Sequence, residues 1–328
     1  MTRGVQALIS TRGVQALFAT LGAAVVIAAA GPQARGNAPA DAKYLGSKMC
    51  QACHQGLHPE KVKGWAASPH ARAMWKIEQA DDTHKVVADF AKSAPFPKEK
   101  VAYVLGTGRK QQAYLDADLK VLPGVWNVKD QAWAVQPAAD AKQDCLGCHT
   151  SGYDPATAKW TELGVGCEMC HGPGSAHVGA TDKKATITNP TNLDAAHQAA
   201  VCGRCHSVGK DKDGVHTFST SFRPGDDLDQ SFTFTKDVEK GMRNAQYNEL
   251  RFGGGKHFAA GTTCVSCHDP HGSQPMQLKQ ASVNDTCLTC HAGKLQGAQH
   301  SEAALKSVGC NVCHMPSDSH AFLTPHHG

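Results

Sequence analysis

Residues 264–272 read CVSCHDPHG. Cys264 and Cys267 have two residues between them, His268 follows at once, and a second imidazole, His271, comes three positions later. C-x-x-C-H is the attachment signature of c-type haem. The two thiols form thioethers with the porphyrin, and the adjoining histidine is held under the iron. The pattern occurs seven times: Cys50, Cys53 and His54; Cys145, Cys148 and His149; Cys167, Cys170 and His171; Cys202, Cys205 and His206; Cys264, Cys267 and His268; Cys287, Cys290 and His291; Cys310, Cys313 and His314. All 14 cysteines are used.

Other readings of paired cysteines fail on this regularity. A disulfide framework gives no reason for a histidine after every pair. A redox C-x-x-C explains one pair, not all of them. Structural zinc sites take two C-x-x-C halves per metal, and seven halves leave one over. Seven covalently attached haems c are therefore expected, with His54, His149, His171, His206, His268, His291 and His314 as proximal iron ligands. The composition agrees. Aromatic residues are only 6% of 328, less ring surface than a chain of this size usually buries. Porphyrin is expected to fill the middle instead. The fold expected is mostly α, with extensive irregular chain around a stacked multihaem core.

The first residues carry Arg3 and Arg12, then an apolar run from about Val14 to Ala30, then small residues. This is the pattern of a secretory signal peptide over 1–34, with cleavage between 30 and 40; an uncleaved anchor is the rival, since the whole run just suffices to span. Export suits haem c, and the expected location is the periplasm or the outer surface. The formal charge of +4 includes three arginines and no acids in residues 1–40. Removing that segment, and adding two propionates per haem, makes an acidic holoprotein with no call for nucleic acid.

The motifs divide the chain unevenly. Residues 35–144 hold one motif and the only long early stretch without cysteine; residues 145–328 hold six. Gaps of 22 or 23 residues between successive motifs admit one helix and a turn, which must pack on the haems themselves. Within 54–144, SPHARAMWKIEQADDTHKVVADFAK has helical spacing, with Ser68 and Pro69 as a start signal. The stretch from 101 to 135 alternates, has turn residues at Gly106–Gly108 and Pro123–Gly124, and predicts a β-hairpin or small meander. Residues 206–263 are expected to be loop-rich with short helices.

A six-coordinate haem needs a second axial ligand, and twelve histidines lie outside the motifs. His271 cannot wrap its own porphyrin in three residues, so it must serve a neighbouring haem. Three residues span at most about 10 Å, which holds the two irons within roughly 10–15 Å. CHGPGSAH repeats the device with His177, six residues beyond His171, and CHMPSDSH repeats it with His320, six beyond His314.

The set YLGSKMCQACH, SPHARA, CLGCHTSGYD, GVGCEMCHGPGSAH, CGRCHS, RPGDDL, HFAAGTTCVSCHDPHG and GCNVCHMP resembles the multihaem cytochromes of the cytochrome c-554 family across nearly the whole mature chain. That family's founding pattern has fewer haems, so its haem order does not transfer. The resemblance implies periplasmic or outer-surface electron transfer through stacked, largely bis-histidine haems. It implies His70, His177, His257, His271 and His300 as distal iron ligands, and His320, with His326 and His327 as rivals. The seventh ligand stays open among His58, His84, His197 and His216, or one iron is five-coordinate. Tyr153, Arg204 and Arg251 are candidates to bond propionates or pack on rings.

The expected role is a heptahaem electron carrier in anaerobic respiration, not an enzyme. Its redox partner proteins would be a quinol-linked donor and a terminal reductase or outer-surface complex. It would meet a membrane only through those partners or an uncleaved N-terminus. One alternative is a multihaem reductase of nitrite, hydroxylamine or a sulfur oxyanion with one open haem. The other is a subunit of an extracellular haem filament or homo-oligomer.

Overall fold

A computed structural model describes residues 38–324, apart from 254 and 296–299. The expected signal peptide, residues 1–34, and the rival histidines His326 and His327 lie outside the described residues. The helices that are described are short. The first two, α1 (Ser47–Leu57) and α2 (Pro59–Ala66), have 11 and 8 residues, and most others are one or two turns long, separated by irregular chain. None is long and apolar enough to cross a membrane.

Between α2 and the second motif the chain forms a sheet. Five strands, β1 (Met74–Lys76), β2 (Tyr103–Leu105), β3 (Gln111–Leu115), β4 (Gly124–Asn127) and β5 (Ala132–Val135), pair antiparallel in sequence order. Four of them realise the meander expected over 101–135. The helix expected from Ser68 does not form. Its apolar residues Met74 and Trp75 sit in β1, paired with Leu105 and Val104. Adjacent strand residues point to opposite faces, and both faces of this sheet are covered. Trp75, Val104, Tyr114 and Trp126 enter one cluster, with Phe96, Val101 and Leu122. Met74, Leu105 and Leu115 enter another, with Ala141 and Leu146. A helix would bury one such stripe; the strand buries two. Each side chain fully buried this way contributes about 1.5–3 kcal/mol, which outweighs the helical periodicity of the segment.

The second cluster is what places a motif. Leu146, fully buried, lies between Cys145 and Cys148, so the sheet's inner face seats the helix Leu146–His149. Buried Gln112 ties the sheet to the loop beneath it: its carbonyl oxygen accepts from Val87 N–H at 3.0 Å and Tyr114 O–H at 2.7 Å, and its amide donates to Lys85 O at 2.9 Å. Beyond His206 the chain is loop-rich as expected, with short strands Gly209–Asp211 and Phe232–Phe234 paired antiparallel and a helix at Gln246–Phe252.

Candidate haem-iron centres

Every C-x-x-C-H lies on or at the end of a helical turn. Positions three apart on a helix share a face, so each pair of sulfurs points the same way. The turn closes from the histidine back to the first cysteine: the N–H groups of His149, His171, His206 and His268 donate to the carbonyls of Cys145, Cys167, Cys202 and Cys264 at 3.1, 3.1, 2.9 and 2.9 Å. Two thiols and an imidazole are thereby presented together, as thioether attachment under a ligating histidine requires.

Six of these seven histidines face a second imidazole from elsewhere in the chain. The ring centres of His54 and His177 are 6.2 Å apart, of His206 and His70 6.1 Å, and of His171 and His271 6.1 Å. Those of His268 and His320 are 6.3 Å apart, of His291 and His257 5.8 Å, and of His314 and His300 6.2 Å. Metal–imidazole bonds are about 2 Å, and each nitrogen lies about 1 Å from its ring centre. Two imidazoles on one iron therefore sit about 6 Å apart, centre to centre. Each of the six pairs has this spacing.

The rings are oriented from behind. Nδ1 of His149, His171, His268 and His314 donates to the carbonyls of Ala73, Thr188, Met276 and Leu323 at 2.8, 2.9, 2.9 and 3.0 Å. Nδ1 of His177 and His320 donates to those of Lys183 and Asp318 at 2.8 and 3.1 Å. A carbonyl can only accept, so the proton is fixed on Nδ1 and the Nε2 lone pair is left for a metal. Burial disfavours the charged form of the most deeply placed rings. It pulls the pKa of His70 down to about 4, with neighbouring His206 and His268 adding to the effect, and it lowers those of His149, His171 and His206.

Several residues without obvious signatures hold the opposing histidines in place. The turn carrying His70 rests on Gly164, whose φ of +79° suits glycine and whose missing Cβ would run into the Ala71 carbonyl. Val165 N–H then bonds His70 O at 2.8 Å. The turn carrying His271 presses its carbonyl on α2 at Gly64, where a Cβ would collide with it. Gln277 closes the same turn, its amide donating to Pro270 O and Gly272 O at 3.1 Å each. Glu168, inside the third motif and 1% exposed, binds the segment entering α1: its carboxylate accepts Leu45 N–H at 3.0 Å, Gly46 N–H at 2.7 Å and Gly174 N–H at 2.7 Å.

The remaining histidines are differently engaged. His58 lies one turn beyond His54 in sequence, 5.6 Å from its ring. His84 packs on Trp75 and bonds Thr83. His197 bonds Asp194, the N-cap of the helix Ala195–Gly203, and His216 bonds Asp211. Among the described residues, no histidine ring faces His149 at the spacing seen for the other six.

Sulfurs of different motifs come close together. Cys50 and Cys167, Cys148 and Cys205, and Cys202 and Cys264 lie close enough for their sulfurs to interact, which raises the pKa of the first thiol of each pair. Burial, and then the charge of nearby Cys310, push Cys287 up to about 11. Thioethers do not ionise, so for the haem-bearing chain these contacts are a measure of proximity alone.

Two family descriptions match parts of the chain: the doubled CXXCH motif over 256–296 and cytochrome c554 and c-prime over 125–172. The chain is 29% identical over 151 residues to the multiheme cytochrome MtrA of Shewanella baltica, covering 42% of this chain and 45% of that one. It is 27% identical over 222 residues to cytochrome c-554 of Nitrosomonas europaea, covering 61% and 74%. Its fold is similar to that of the outer cell wall cytochrome OcwA, with TM-score 0.68 and 19% identity over 85% of this chain and 79% of that one. It is also similar to an undecaheme cytochrome from the S-layer of Carboxydothermus ferrireducens, with TM-score 0.54 and 20% identity over 90% and 53%. The match thus spans less than half of MtrA and about half of the undecaheme chain. With its C-x-x-C-H turns, these likenesses make the chain a multihaem c-type cytochrome, similar to the cytochrome c-554 family.

Proposed function

We propose that the chain is a heptahaem electron carrier, with one haem c on each motif and six irons held between two imidazoles. The observation that carries this reading is the recurrent spacing of about 6 Å between a motif histidine and a distant one, the distance one bis-imidazole iron demands. His54, His171, His206, His268, His291 and His314 are the proximal members; His177, His271, His70, His320, His257 and His300 are their respective distal partners. When bound, haem supplies the one-electron chemistry, and the chain supplies ligands, spacing and electrostatics.

The pairing also gives an order to the wire. His171 and His177 share one short turn but serve the third and first haems. His268 and His271 serve the fifth and third. His314 and His320 serve the seventh and fifth. Haems one, three, five and seven are thus linked in series by three turns of the backbone. The sulfur contacts of Cys148 with Cys205, and of Cys202 with Cys264, bring the second and fourth haems alongside that series. Electrons enter and leave through redox partner proteins in the periplasm or at the cell surface; the similarity to an outer cell wall cytochrome and to an S-layer cytochrome supports that placement. Pyridine-haemochrome assay and intact mass of the exported protein should give seven haems per chain, with low-spin EPR signals dominating. A colourless product containing zinc, or a lower haem count, refutes the proposal.

His149 supports a second reading. Without an opposing histidine among the described residues, its iron would keep an open sixth position, as a reductase of nitrite, hydroxylamine or a sulfur oxyanion needs. A high-spin ferric signal that cyanide converts to low spin in one haem would establish the open site. Wholly low-spin ferric protein, unchanged by cyanide, would exclude it.

A further inference from the structure

The outer edge of the five-stranded sheet is an uncharged stretch. Residues 131–139 read QAWAVQPAA, and β5 is the last strand. Among the described residues no strand lies beyond it. Proteins normally blunt such an edge with lysines, prolines or bulges; here Pro137 stands alone, past the end of the strand. Val135 is 86% exposed, and Ala132 and Ala134 are exposed with it. Trp133 is held firmly instead. Its ring lies 5.2 Å from those of Phe90 and Phe96, and its Nε1 donates to Asp89 O at 3.0 Å. A rigid aromatic therefore stands at the rim.

The register shows which backbone groups are free. Val128 N–H donates to Lys110 O at 2.9 Å. Hydrogen-bonding groups alternate in direction along a strand, so Val128 and Trp126 turn towards β3, and Asn127 and Val125 turn towards β5. Their partners Ala132 and Ala134 turn back to meet them. The N–H and C=O of Trp133 and Val135 are left pointing outward.

We propose that this edge pairs with the same edge of a second copy of the chain, antiparallel and two-fold symmetric about Ala134. Each Trp133 then lies opposite the other copy's Val135, and such a pair exchanges both backbone hydrogen bonds. Aromatic and β-branched side chains are favourable neighbours across strands, and the contact covers the exposed valine. The charges agree with this register. Lys129, Asp130 and Asp140 fall opposite Ala139, Ala138 and Val128, so no like charges meet. An axis through Val135 would set Asp130 against the other copy's Asp140. The contact uses the same patch on both copies, so it closes as a dimer.

The test is sedimentation equilibrium of the haem-loaded full chain, with cysteine cross-linking to read the register. Ala134 would face its own copy as a non-hydrogen-bonded pair with Cα atoms about 4.5 Å apart, within the range of about 4.4–6.8 Å that a disulfide bridges. In Ala132→Cys the two thiols sit four residues out of step, about 14 Å along the strands. Wild type should show a concentration-dependent dimer, and Val135→Lys should be monomeric with an unchanged visible spectrum. Mild oxidation should cross-link Ala134→Cys and leave Ala132→Cys single. A wild type that stays monomeric up to about 0.1 mM, a dimer that Val135→Lys leaves intact, or equal cross-linking of the two cysteine variants overturns the proposal. If an added cysteine disturbs haem loading, the comparison of wild type with Val135→Lys decides alone.

Discussion

Replacing Glu168 by glutamine should loosen the chain entering α1 without touching any ligand. The carboxylate accepts three backbone N–H groups, from Leu45, Gly46 and Gly174, and is 1% exposed. Hydrogen bonds to a charged acceptor contribute about 1.5–3 kcal/mol each and neutral ones about 0.5–1.5. The glutamine amide keeps one acceptor oxygen and turns a donor towards the remaining N–H groups. One donor is then orphaned, at about 1–3 kcal/mol, and the surviving bonds lose about 1 kcal/mol each. A total of about 3–5 kcal/mol is expected, which corresponds to a rise of roughly 100-fold or more in local opening. Hydrogen–deuterium exchange at Leu45 and Gly46, read on the haem-loaded protein, measures this directly. The Soret spectrum should stay unchanged, because His54 and His171 keep their positions. Exchange within a factor of about 3 of wild type at both amides would refute the claim that this carboxylate anchors the segment.

Other perturbations follow from the same geometry. His271→Ala should open the iron over His171, and one haem equivalent should move from low-spin to high-spin EPR signal; undiminished low-spin intensity would reject the His171–His271 pairing. Gly64→Ala drives a Cβ into the His271 carbonyl and should cost about 1–3 kcal/mol as α2 shifts, visible as a lower thermal midpoint; an unmoved midpoint would contradict the contact. Asp211 is buried, which alone would raise its pKa, but the His216 ring and the N–H groups of Val215 and His216 outweigh this and hold it below the usual carboxylate value. A depressed native pKa adds stability that is present above the unfolded value, about 3.9, and lost as pH falls through the native one. Urea midpoints of wild type should therefore fall in that acid range, and Asp211→Asn should flatten the fall.

The sequence is legible where chemistry demands a fixed spacing. Seven C-x-x-C-H turns can be read directly, and so can the inability of His271 to circle its own haem. Which haem it meets is another matter: His171 lies a hundred positions earlier in the chain, and no local pattern encodes that contact. The stretch after Ser68 misleads because a strand buried on both faces shows no alternation; Met74 and Trp75 are both apolar because each faces a different core. Glu168 is missed for a further reason. An acid inside a C-x-x-C pair looks like a solvated spacer, and only the glycine-rich turn that follows hints that backbone N–H groups converge on it.

The turn from His268 to His271 has a mechanical consequence. An electron's tunnelling rate falls exponentially with the gap it crosses, so a carrier whose centres merely touched would stutter with every breath of the protein. Here both ends of a three-residue strut would be bolted to metal, with Pro270 stiffening it and Gln277 bracing it from outside. The gap becomes a fixed length written into the backbone, and heating would shift the speed of that hop far less than it softens the surrounding loops.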